Sequence, residues 1–162
     1  MLQDHIISVT VENKFGVLAR IAGLFSSRGY NIKSLSVAET EDPTCSRMTI
    51  VVNADEKILE QIKKQLNKLI DTIKVQEFTN TSYLDRELML IKVNTDPKKR
   101  TDLFQIVEVL NGKIINMTRK SITIEITAAS DILENVIKML QPFGIIETVR
   151  TGKIAISRDA VD

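Results

Sequence analysis

The chain has one histidine, His5, one cysteine, Cys45, and no tryptophan, and these shortages exclude most catalytic chemistry. A nucleophile–histidine system would have to be built on His5, close to the N-terminus, where a surface or strand-edge role is the simpler reading. One cysteine and one histidine cannot form a tetrahedral zinc site, and a lone cysteine forms no internal disulfide, which suits a reducing compartment. Aromatic residues make up 4% of the sequence, too few for the base-stacking platform of RNA-recognition domains. A net charge of +1 argues against a nucleic-acid partner held by phosphate neutralisation. No apolar run reaches the ~20 residues of a membrane span, and Met1–Asp4 has no signal-peptide character. The acidic group Glu39, Glu41 and Asp42 lacks the ligand order of a calcium loop. Gly16 and Gly23 fit neither the dinucleotide fingerprint nor the phosphate-loop spacing. Gly23 is read as permitting close helix–sheet packing, and Lys98-Lys99-Arg100 as a solvated loop.

What is present is a pattern of elements that occurs twice. His5–Val11 reads as a strand, and Val17, Leu18, Ile21, Ala22, Leu24 and Phe25 fall at helical spacing, with Gly29 as the stop. Asn31–Ala38 and Arg47–Asn53 read as strands around the acidic turn Glu39–Thr44. Asp55 is the N-cap of a helix whose stripe is Ile58, Leu59, Ile62, Leu66, Leu69 and Ile70. Ile73–Phe78 closes the set. The second round runs through strand Glu87–Val93, helix Thr101–Leu110 ended by Gly112, and strand Lys113–Met117. Ser121–Thr127 follows as a strand whose alternation predicts one buried and one wet face. A helix capped by Ser130 or Asp131 and ended by Pro142 and Gly144 leads to strand Ile145–Val149, with Lys153–Ser157 read as its extension.

A doubled β-α-β-β-α-β order predicts an α+β protein of two tandem ferredoxin-like domains, 1–79 and 84–162. Each has both helices on one face of an antiparallel sheet. Ile6 beside Ile7, and Val51 between Ile50 and Val52, put apolar residues on the other face too. The expectation is a homodimer whose first domains pair side by side or face to face.

One segment keeps a chemical reading. Asn13-Lys14-Phe15-Gly16-Val17-Leu18 joins a strand to a helix, whose first amides have no internal acceptor and whose end is partly positive. A glycine there lets a ligand reach the backbone, and an amino-acid carboxylate suits such an end. The Asn13 side chain is expected to fix the ligand's polar groups.

The surrounding residues carry a resemblance. N-K-F-G-V-L-A-R-I-A-G-L-F-S-S-R-G-Y-N-I-K-S-L-S-V (Asn13–Val37) closely resembles the regulatory small subunits of acetolactate synthase (acetohydroxyacid synthase). S-R-M-T-I-V-V (Ser46–Val52), K-Q-L-N-K-L-I (Lys64–Ile70), R-E-L-M-L-I-K-V (Arg86–Val93) and R-T-G-K-I-A-I-S-R (Arg150–Arg158) are also similar to that family. The resemblance implies that the first domain is an ACT effector-binding domain and that the chain is not itself an enzyme. It implies activation of a catalytic large subunit and feedback inhibition by valine, with leucine or isoleucine as weaker effectors. It implies effector contacts at Asn13, Gly16, Val17 and Leu18, and at Asn31 and Ile32, with Asn31 reaching the ligand from a partner chain. Lys14 and Phe15, inside the same loop, depart from the small or acidic residues common there. Val17, Leu18 and Ile32 fit a core position as well as a ligand wall. No cofactor is expected in this chain; thiamine diphosphate, magnesium and FAD belong on the large subunit. The expected setting is the cytoplasm, or the plastid stroma for a plastid-encoded copy. An ACT-type regulator of a different enzyme and an RNA-binding ferredoxin-like module are the other readings.

Overall fold

A computed structural model describes residues 1–79 and 81–159; the last three residues of the predicted second domain lie outside the described residues. The chain divides into two compact units, one of residues 1–84 and 153–162, the other of residues 85–152.

In the first unit, β1 (Gln3–Glu12), α1 (Val17–Ser27), β2 (Ile32–Glu39), β3 (Cys45–Ala54), α2 (Glu56–Lys68) and β4 (Thr72–Glu77) form the expected order. The antiparallel sheet runs β2-β3-β1-β4. Alternation along β1 sends His5, Ile7, Val9 and Val11 into the core. Met48, Ile50 and Val52 of β3 meet Ile21, Leu24 and Phe25 of α1 and Leu59, Ile62 and Leu66 of α2 there. Each such fully buried aliphatic side chain contributes roughly 1.5–3 kcal/mol. Asp55 caps α2 as expected, its carboxylate accepting from the Ile58 amide at 2.9 Å. The apolar stripe of α2 stops short of its predicted end. Leu69 turns the backbone to extended geometry and Ile70 is left 94% exposed.

His5 is not at a surface or an edge. It is fully buried on a central strand, with Nε2 3.1 Å from the Ala54 carbonyl and Nδ1 2.8 Å from the Thr79 hydroxyl. A carbonyl only accepts, so Nε2 carries the proton and Nδ1 accepts from Thr79. Gly23, expected to pack against the sheet, is exposed with nothing within 4 Å of the place a Cβ would occupy.

The outer face of this sheet is covered differently from the expectation. Lys153–Ser157 does not extend the last strand of the second unit. Ile154–Ser157 is a separate strand, β9, assigned to the first unit. The apolar outer residues Ile6 and Val51 are buried with Phe78 against Ala155 of β9, and Tyr83 packs alongside, its ring 5.6 Å from that of Phe78. The Lys153 amide donates to Ser34 Oγ at 3.1 Å, and Arg47 Nη2 donates to the Ala155 carbonyl at 3.4 Å. A second subunit is therefore not needed to cover these apolar residues.

The second unit repeats the plan with β5 (Tyr83–Asn94, from Asp85 onward), α3 (Arg100–Val109), β6 (Lys113–Met117), β7 (Ser121–Ala128), α4 (Ser130–Leu140) and β8 (Ile145–Arg150). Its order, β6-β7-β5-β8, matches the first sheet strand for strand. Ile122, Ile124 and Ile126 are buried as their alternation predicts. Gly112 is tightly packed: a Cβ there would lie 3.1 Å from Ile124 and 3.2 Å from Val107, so these side chains would have to give way. Neither Ser130 nor Asp131 caps α4, because Ala129 occupies the cap position and Ser130 is already helical. The Ser130 hydroxyl instead donates to the buried carboxylate of Glu87 at 3.0 Å. Arg150 completes that cluster, donating from Nε and Nη2 to Glu87 at 2.8 and 2.9 Å and from Nη1 to Glu134 at 2.6 Å.

Burial pushes the Glu87 carboxyl up, but the hydrogen bonds from Arg150 and Ser130 outweigh it and hold the group below the ordinary glutamate range. A lowered folded pKa contributes stability above the unfolded value of about 4.3, and that contribution is lost as pH falls through the folded value. Glu87→Gln should flatten acid unfolding curves in that window. Arg150→Ala should cost about 2–3 kcal/mol in urea melts at pH 7, less than a wholly buried pair because Arg150 is 30% exposed. Gly23→Ala, at an open helical site, should raise stability by about 0.5–1 kcal/mol in the same melts.

Candidate functional site

The segment singled out by sequence sits where β1 ends and α1 begins. Gly16 occupies the N-cap position at φ +80°, a left-handed conformation that side chains resist. It offers no capping side chain, and the first turn of α1 holds no acidic residue. The opening amides of α1 thus have no side-chain acceptor of their own, the Val17 amide reaching only the Lys14 carbonyl at a long 3.4 Å, and this partly positive end suits a carboxylate.

Asn13 stands beside this end, but its amide nitrogen is already committed. Nδ2 donates to Glu39 Oε1 at 2.9 Å and to the Pro43 carbonyl at 3.0 Å, tying the loop to the β2–β3 turn. Both partners only accept, which fixes the orientation of the amide and leaves Oδ1 without a hydrogen-bond partner among the described residues. Asn13 therefore presents an acceptor suited to an ammonium group. The turn it grips is ordered by Asp42, which accepts from the Thr44 amide at 2.9 Å and the Thr44 hydroxyl at 2.6 Å. These bonds hold the Asp42 carboxyl below its usual range. Helix amides on one side and an amide oxygen backed by Glu39 on the other make a bipolar site. An α-amino acid zwitterion has the matching charges.

The remaining predicted residues divide. Val17 is 4% exposed, so its side chain belongs to the core and only its backbone faces the site. Leu18 is 43% exposed and can line an apolar pocket; Phe15 projects wholly into solvent. Lys14 is exposed and paired with Glu12. Ile32 packs partly against the core, and Asn31 is exposed beside it. These two lie at the far end of the sheet: Ile32 pairs with Val52, whose other partner is His5, whereas the site borders Glu12 and Cys45. A single chain does not bring Asn31 and Ile32 to Asn13.

Sequence reasoning passed over Arg20 and Asp71. Arg20 donates from Nε and Nη2 to Asp71 Oδ2 at 2.9 and 2.6 Å, and the Asp71 carbonyl accepts from the Glu12 amide at 2.9 Å. The pair ties α1 to the turn before β4 and to the end of β1, framing the Gly16 loop. Arg20 stands four residues after Gly16, at helical spacing, but its acidic partner is 51 residues away and no local pattern announces it.

Comparison with known proteins assigns the family. Residues 7–74 match the family model described as the AHAS small subunit-like ACT domain. Residues 86–159 match the model for the small subunit of acetolactate synthase. The chain belongs to the acetolactate synthase small subunit family. The acetolactate synthase small subunit of Aquifex aeolicus is 46% identical over 98% of this chain and 83% of its own length. That of Mycolicibacterium smegmatis is 46% identical over 95% and 91%. The crystal structure of the small subunit from Thermotoga maritima superposes with a TM-score of 0.88 at 40% identity, covering 98% of this chain and 99% of that one. Membership confirms the ACT domain and the ferredoxin-like plan of the small subunits. Among the described residues no cluster of metal-ligating side chains occurs and no helix is long and apolar enough to cross a membrane.

Within the Asn13–Gly16 loop only Gly16 has a positive φ. Gly16→Ala should cost about 1–2 kcal/mol in denaturant melts, because a Cβ is strained at this φ. Gly16→Asn should cost less, since asparagine accepts the left-handed region more readily.

Proposed function

We propose that this chain is a non-catalytic regulatory subunit that binds valine, leucine or isoleucine at the Gly16 loop and passes that signal to a catalytic large subunit. The observation that carries the reading is the uncapped end of α1 at a left-handed Gly16 beside an Asn13 whose free pole is Oδ1. The effector carboxylate meets the amides of Val17 and Leu18, its ammonium meets Asn13 Oδ1, and its branched side chain lies against Leu18. Lys14 and Phe15 flank the entrance.

A second copy completes the pocket. β2 is an edge strand, so its outer backbone groups are open to a pairing strand. The Asn13–Glu39 hydrogen bond places the site beside the end of β2. Two β2 strands pairing antiparallel about a twofold axis set the start of one against the end of the other. Asn31 and Ile32 of the partner copy then fall beside Asn13, which supports a homodimer joined side by side.

The name shared by the relatives speaks of a small subunit, and the partner proposed for this chain is an acetolactate synthase large subunit. That subunit carries thiamine diphosphate, magnesium and FAD in the family this chain resembles, and the catalysis is assigned to it. The small subunit raises its activity, and effector binding favours a less activating arrangement, with a coupling of about 1–3 kcal/mol. The proposed setting is the cytoplasm.

Thermal unfolding with and without each amino acid tests the site, since a ligand bound only by the native dimer raises its Tm. Valine should raise Tm in the parent chain and not in Gly16→Asp, which puts a carboxylate where the effector's belongs. Mixed with a large subunit, Gly16→Asp should still activate but escape valine inhibition. A chain indifferent to all three amino acids, or a Gly16→Asp variant that binds valine unchanged by calorimetry, contradicts the assignment.

A further inference from the structure

The outer face of the first sheet is apolar only at one end. Toward the other end β1 presents Ser8 and Thr10, and the neighbouring strands carry cations: Thr10 is paired with Arg47 on one side and Lys74 on the other. Neighbouring strands are ~4.8 Å apart, so the two basic residues stem from points about 10 Å apart across one face. β9 covers the apolar end, and the residues that follow it bring Arg158 to the same region. Together they border an open concavity of about 440 Å³ lined by Arg47, Lys74, Gln76, Ser157, Arg158, the exposed Ile156 and one carboxylate, Asp159.

Three features make this more than a basic surface. Among the described residues, none of the three cations forms an ion pair with a carboxylate, while eight other such contacts are formed across the two units. Arg47 is fixed in place: Nε donates to the buried Ser8 hydroxyl at 2.8 Å and Nη2 to the Ala155 carbonyl at 3.4 Å. The guanidinium is thereby pre-oriented, and Nη1 has no protein acceptor among the described residues. The volume also lies within the range of small-molecule sites, roughly 300–1,000 Å³.

We infer that this concavity is a binding site for a small anion bearing two or more phosphate groups, distinct from the Gly16 loop. Cations arising from two strands, β3 and β4, and from the residue after β9 favour charge distributed along the ligand over a single point charge. The planar fork of Arg47 and the mobile ammonium of Lys74 suit phosphate oxygens. Gln76 and Ser157 supply neutral hydrogen-bonding groups at the wall. The site joins β3 and β4 to the segment that re-enters the first unit after residue 152, so its ligand clamps that segment onto the sheet.

Calorimetry and thermal unfolding of the full chain at physiological ionic strength, with tripolyphosphate, pyrophosphate, phosphate and citrate as probes, test the inference. Tripolyphosphate should raise Tm and bind at least about tenfold more tightly than phosphate, a difference of about 1.4 kcal/mol. The double variant Lys74→Gln/Arg158→Gln alters two exposed side chains and leaves Arg47 in place. It should lose that affinity by about tenfold or more while keeping the parent Tm and the parent response to valine. Gly16→Asp should bind tripolyphosphate as the parent does. The inference is overturned by no binding at millimolar probe, by binding that survives the double variant, or by citrate binding as tightly as tripolyphosphate. It is equally overturned if the double variant loses capture of the large subunit while all four probes leave the chain unmoved, which would make the face a protein-docking surface.

Discussion

Two helices can cover only one face of a four-stranded sheet, and this geometric limit organises the first unit. The helix-side face is settled by alternation: Ile7, Val9, Val11, Met48, Ile50 and Val52 are driven out of water against α1 and α2. The opposite face has no helix, yet the sequence places Ile6 and Val51 there. The chain resolves the conflict with its own final strand, bringing Ala155 back over them. Where that strand runs out, the face becomes polar, through Ser8, Thr10, Arg47, Lys74 and Gln76. The same limit leaves β2 as an open edge, which is where the effector site and a second copy are proposed to meet.

Most of the fold was legible because it rests on local periodicity. Period-2 alternation in Ser121–Thr127 and helical spacing in α2 are set by which face of an element is buried, and neighbouring residues carry that information. Apart from Gly23 and the early end of α2, the failures were long-range. Lys153–Ser157 has the composition of any short strand, and nothing local says that it pairs with β5 while packing on the first unit. His5 is polar and near a terminus, but its register opposite Val52 puts it on the buried face of a central strand. Ser130 looks like a cap, yet its hydroxyl is claimed by Glu87, 43 residues earlier.

The candidate site was legible for a similar reason and to a similar depth. A glycine between a strand and a helix signals an accessible helix end, and the structure places Gly16 at that end with a left-handed backbone. What the sequence could not supply was direction. Asn13 was read as a ligand-binding polar group, but only the contacts with Glu39 and Pro43 reveal which of its poles is free. Val17 was read as either core or wall, and burial assigns its side chain to the core. Arg20 went unread, because its partner Asp71 lies 51 residues away.

These long-range ties also bear on how a small ligand can influence a large partner. Residues 85–152 form a unit whose two chain connections, at 84 and 153, both enter the first unit. The second connection is secured by short-range bonds, from the Lys153 amide to Ser34 and from Arg47 to the Ala155 carbonyl. Ser34 belongs to β2, the edge strand at which a second copy is proposed to pair, and Arg47 belongs to β3, its neighbour. A change in how two β2 strands meet therefore reaches the returning segment through one or two hydrogen bonds and no intervening element. An effector that acts on the β2 edge need not deform a core to be felt elsewhere. It needs only to bind the two arrangements of that edge unequally, and the affinity difference between them sets the limit of what it can transmit.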